Sequence, residues 1–144
     1  MSPFANLLKT LRIERGLRQG ELSKLVGYEQ SYISALEIGL KGPPNEEFVM
    51  HLVGALKLSQ VEQETLNQAV AASQRKIIVP QDASIEIYRL FHKFRQQIDH
   101  LHPMQIELIE TALNLPLNFH MKYHSAPPRI RRRYSKTNLS EAKM

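Results

Sequence analysis

The chain has no cysteine among its 144 residues, which excludes a disulfide framework and any metal site built on thiolates. No apolar run reaches half of a membrane span, and the opening MSPFANLLKTLRIERG meets charged residues before a signal-peptide core could form. A cytoplasmic chain that stays out of membranes is therefore expected. No HExxH motif and no glycine-rich phosphate loop is present. The length holds one core with a small attachment and cannot hold two enzyme domains. Together these absences point away from catalysis, and no cofactor is expected.

Excess charge of one sign is also missing from the body of the chain. Residues 1–75 balance eight Lys and Arg against eight Asp and Glu, and residues 76–121 carry four against five. Residues 122–144 carry seven against one, so the formal net charge of +5 comes from this stretch, which includes RIRRR at 129–133. A neutral body with a basic end has to obtain specificity from directed contacts, while the tail adds salt-dependent attraction to phosphates.

What is present is a succession of short helices punctuated by glycine and proline. Leu7, Leu8 and Leu11 recur at helical spacing and stop at Gly16; a second helix over 19–26 turns Leu22, Leu25 and Val26 inward and stops at Gly27. A third runs over 30–38 to Gly39. Asn45 with Glu46 and Glu47 starts a fourth, carrying Val49, Leu52, Val53 and Leu56, and Ser59 with Glu62 forms a capping box for a fifth, through Leu66 and Val70. Residues 73–82 read as a linker. Beyond it Ser84 caps a longer helix in which Ile87, Phe91, Phe94, Ile98 and Leu101 step by four, three, four and three, a heptad-like stripe. His102 and Pro103 open a further helix with Leu108, Ile109, Ala112 and Leu113, up to Pro116.

Steps of 100° around the third helix put Ile33, Leu36 and Glu37 on one side and Ser31, Ser34 and Ala35 on the other, with Gln30 at the N-terminal edge. A small, polar outward face suits a helix that enters the major groove and brings its first residues to base edges. The segment LRIERGLRQGELSKLVGYEQSYISALEIG resembles the Cro/repressor-type, lambda repressor-like helix-turn-helix family over about residues 4–72. The resemblance implies a five-helix DNA-binding domain. It implies that Gln30 reads an adenine, braced by Gln19, which itself meets a phosphate, that Ser31 approaches a guanine, and that Ala35 meets a thymine methyl. Arg12 reads as a phosphate clamp or, as the resemblance implies, as the partner of Glu37 in a structural ion pair. Arg18, Lys24 and Lys41 flank the same surface as candidate phosphate contacts. Tyr32 is open between packing at the domain edge and contact with DNA.

Three residues depart from the family pattern. Glu29 stands at the cap where a small hydroxyl is usual. Gly20 costs helix two about 1 kcal/mol. Ile38 lies outward where a polar residue is common. No Ala-Gly cleavage dipeptide is present, so the self-cleavage of longer repressors is not expected. Six histidines include His100 with His102 and His120 with His124, and without cysteine they read as surface or packing residues, so no metal is expected.

The expected architecture is all-α, with a DNA-binding domain over 1–75, a helical segment over 83–116 that is a hairpin or a dimerisation seam, and a basic tail over 117–144, by default a mobile end. The expected function is a transcriptional regulator without catalytic activity, a homodimeric repressor on double-stranded DNA. The alternative is an antitoxin-type protein whose residues 83–144 grip a protein partner; a tail-led non-specific nucleic-acid binder is the third reading.

Overall fold

The computed structural model describes residues 1–115. They form α1 (Pro3–Glu14), α2 (Gln19–Val26), α3 (Gln30–Glu37), α4 (Glu46–Leu56), α5 (Gln60–Ala72) and α6 (Ile85–Gln97), a 3-10 turn (Ile98–His100) and α7 (Pro103–Leu113), with no strand among the described residues. The basic tail, RIRRR and the His120/His124 pair lie outside the described residues.

Local chemistry sets the boundaries. Ser2 accepts from the Ala5 N–H at 3.2 Å, with Pro3 in the first turn of α1, where its missing N–H is harmless. Asn45 accepts from the Phe48 N–H at 3.0 Å, and Ser59 and Glu62 cap α5 reciprocally, the carboxylate taking the Ser59 N–H at 2.8 Å. Gly27 ends α2 at φ +76°, a left-handed conformation that a Cβ disfavours, and so turns the chain from α2 into α3.

Five helices enclose one core of Phe4, Leu8, Leu11, Leu22, Val26, Ile33, Leu36, Phe48, Leu52, Leu56, Leu58 and Leu66. Each such side chain contributes about 1.5–3 kcal/mol by leaving water. α1 packs on α3 and α5, and α2 packs on α3 and α4. Leu25 corrects the sequence reading, since it is 54% exposed while Ser23 is buried. The inward face of α2 is centred between Leu22, Val26 and Ser23, and the Ser23 hydroxyl is satisfied by donating to the Gly20 carbonyl at 2.9 Å. Phe48 joins Tyr28 and Tyr32 in an aromatic cluster, with ring centroids 5.0 and 5.5 Å from it. Ser73, read as the start of the linker, is buried instead: its hydroxyl accepts from the Phe4 N–H at 2.9 Å and ties the start of α1 to the end of α5. Arg75 beyond it donates to the Gly39 carbonyl.

The chain divides after Tyr88 into two compact units, the first Met1–Tyr88 and the second beginning at Arg89. Beyond the linker the heptad-like stripe is interrupted. Only Ile87, Phe91 and Phe94 fall on α6, while Ile98 lies in the 3-10 turn and Leu101 is extended at ψ 123°. Pro103 explains the break, because its ring disfavours helical backbone at the preceding residue, and His102 is extended at ψ 145°. His102 caps α7 by accepting from the Met104 N–H at 3.2 Å, while Gln105 accepts from the His102 N–H at 2.8 Å. None of the residues of α6 or α7 is buried. Among the described residues no helix is long and apolar enough to cross a membrane, and no group of three His, Cys, Asp or Glu is placed to hold a metal.

Candidate nucleic-acid interface

The site is built on α2, the Gly27 turn and α3. α3 is anchored by Ile33 and Leu36, both fully buried, and by Glu37, which is 2% exposed. Burying a carboxylate is costly unless charge and hydrogen bonds compensate. Both oxygens are engaged: Arg12 donates from Nε to Oε1 at 2.6 Å and from Nη2 to Oε2 at 2.9 Å, while Gln19 Nε2 donates to Oε2 at 2.8 Å. Arg12 Nη1 donates to the Leu17 carbonyl at 2.9 Å. Burial pushes the Glu37 carboxyl up, but the hydrogen bonds from Arg12 and Gln19, with the charge of Arg12, hold it below its ordinary range. The bond to Glu37 likewise raises the Arg12 guanidinium. Arg12 and Glu37 thus form a structural ion pair.

Gln19 lies beside Gln30 in one hollow. Its amide nitrogen serves Glu37, and the neighbour of the Gln30 amide is Gly20, where a Cβ would stand 3.0 Å from Gln30 Oε1. On the outward side of α3, Gln30 and Ser31 are exposed and Ser34 and Ala35 half-buried. Glu29 takes the cap position without a side-chain capping bond. The hollow, open and of about 600 Å³, is lined by Arg12, Arg18, Gln19, Gly20, Glu21, Ser23, Lys24 and Gln30, which brings three cations and one carboxylate around the first residue of α3. Arg18 precedes α2, its N–H donating to Glu21 at 2.7 Å. Tyr32 is half-buried against Tyr28, with centroids 5.3 Å apart, and Lys41 Nζ sits 4.8 Å from its ring centroid. Burial raises the Tyr32 phenol above its usual value, with Tyr28 adding to the effect. Ile38 is 58% exposed just beyond α3. The only sequence signal for the Gly20 contact was the helix-disfavouring residue itself.

A helix closed by a left-handed glycine, followed by a second helix with an apolar anchor and a polar outward face, is the geometry of a helix-turn-helix, and the family model of the helix-turn-helix domain matches residues 3–66. Over these residues the chain is similar to helix-turn-helix domains. A solved structure described as a SinR protein/SinI protein complex is similar at 18% identity, covering 76% of this chain and 93% of the matched chain, with a TM-score of 0.40. None of the curated proteins matches the chain.

Proposed function

We propose that the protein is a dimeric repressor that occupies a two-fold operator and has no catalytic role. One observation carries the reading: α3 is locked to the core by Ile33, Leu36 and the Arg12–Glu37–Gln19 network, while Gln30 and Ser31 are exposed in its first turn, Gln30 beside Arg18 and Lys24. A rigid helix with an open first turn delivers its side chains to base edges at little cost in entropy. Gln30 pairs with adenine N6 and N7, Ser31 meets a guanine edge, Ser34 lies behind them, and Ala35 meets a thymine methyl. Arg18, Lys24 and Lys41 contact phosphates and set the register. Gln19 supports α3 through Glu37, and Tyr32 holds Lys41.

The second unit supplies the partner contact. Leu90, Leu108 and Ile109 are exposed, and with Phe94 and Leu101 they line an open hollow of about 350 Å³. Helices that bury nothing in one chain gain stability by pairing with a second copy. Selection of bound duplexes from a random pool, with sizing by light scattering, tests the reading. The expected result is a symmetric pair of half-sites 10–10.5 base pairs apart, bound by a dimer. A pool with no enriched sequence overturns the regulator reading. A monomer that captures another protein through residues 83–144 favours the antitoxin-type reading instead.

A further inference from the structure

Glycine is among the worst residues for a helix interior, and Gly20 sits in the first turn of α2 with no backbone reason to be glycine, because its φ is not positive. The reason lies in space. A Cβ there would stand 3.0 Å from Gln30 Oε1 and 3.6 Å from Gln30 Cδ, so the neighbour would have to give by a few tenths of an ångström. α2 is not free to give. The Gly20 carbonyl accepts from Ser23 Oγ at 2.9 Å, the Arg18 N–H is held by Glu21 at 2.7 Å, and Leu22 and Val26 are buried in the core. Gln30 is exposed and carries three rotatable side-chain bonds, so its amide is the group that moves.

We propose that Gly20 is a specificity-determining residue, a positioning residue whose missing side chain lets the Gln30 amide rest against the first turn of α2 and so sets the pose from which Gln30 reads its base. The proposal rests on the reading of α3 as the base-reading helix. With no Cβ at 20, the rotamer that lays the Gln30 amide against the first turn of α2 stays open; a methyl group there would crowd it and turn the amide away. α2 thus trades helix stability for room to take up this pose, and substitution at 20 should move stability and specificity in opposite directions.

The test uses the full chain as wild type, Gly20→Ala, Gln30→Ala and the double variant, with fluorescence anisotropy on the duplex selected by the wild type and on a random duplex. Gly20→Ala is expected to raise Tm by roughly 4 °C. It should weaken binding to the selected duplex about tenfold, a part of what one bidentate base contact supplies, with random-duplex binding unchanged. Reselection with Gly20→Ala should lose preference at the same base pair of each half-site that Gln30→Ala loses, and the double variant should bind no more weakly than Gln30→Ala. Wild-type affinity and an unchanged selected sequence in Gly20→Ala overturn the proposal. So does a double variant whose loss is the product of the single losses, because glycine would then act through its own approach to DNA. A wild type that selects no sequence fails earlier, at the regulator reading, and removes both.

Discussion

Arg12→Ala withdraws the cation from a carboxylate that is almost sealed from water. Glu37 is 2% exposed, and two of its three side-chain hydrogen bonds come from Arg12. Breaking a buried pair by removing one partner costs about 3–5 kcal/mol. Gln19 still donates at 2.8 Å, so the expected loss is near the lower figure at neutral pH. At ~4–8 °C per kcal/mol for a domain of this size, Tm falls by roughly 12 °C or more. The loss depends on pH with a definite sign. In the wild type the folded carboxyl is held below its ordinary value, so the pair's contribution is present above the unfolded pKa and lost as pH falls through the folded one. In the variant burial is opposed only by the Gln19 hydrogen bond and the charge of Lys9, the carboxyl rises, and protonation relieves the buried charge. The gap between the two proteins is therefore widest near pH 7 and narrower at pH 4. Thermal melts by circular dichroism at both pH values measure it, with Arg12→Met/Glu37→Leu as a control that should recover most of the stability by replacing the pair with apolar groups. An unchanged Tm, or a gap equal at both pH values, would refute the reasoning.

Gln30→Ala should weaken binding to the selected duplex by about 1–3 kcal/mol in anisotropy titrations and leave random-duplex binding nearly intact, whereas equal losses would make Gln30 a backbone contact. Asn45→Ala removes the cap that accepts from the Phe48 N–H and should cost about 1 kcal/mol in urea melts, against no change if water replaces it fully. Phe91→Asp with Phe94→Asp should split the dimer in light scattering while the five-helix domain keeps its helicity, and a folded double variant that stays dimeric would move the interface elsewhere, with Ile38 the next candidate. Removing residues 122–144, seven basic against one acidic, should flatten the dependence of log affinity on log salt and spare base preference; an unchanged slope would show that the tail does not touch DNA.

The helices were legible because their boundaries are local chemistry. Gly16, Gly27 and Gly39 all take positive φ, Asn45 caps α4, and Ser59 with Glu62 and His102 with Pro103 start helices where their side chains can reach the first free N–H groups. The faces of α3 were legible too, because Ile33 and Leu36 leave one inward side. α2 was less so. Eight residues give periodicity few points, and Leu25 looked as apolar as its neighbours until α3 and α4 took the side of Leu22 and Val26.

By itself, then, the sequence determined the order and punctuation of the helices, the balance of charge between body and tail, and which turn of which helix carries Gln30 and Ser31, since each depends on residues a few positions apart. Tertiary structure decided what depends on residues far apart in the chain. It assigned the Gln19 amide to Glu37, 18 residues away, and it set Gly20 against Gln30. It buried Ser73 against Phe4 across 69 residues. Whether a glycine in a helix is a defect or a fitted space depends on the side chain that arrives from another helix, and no window of sequence contains that contact.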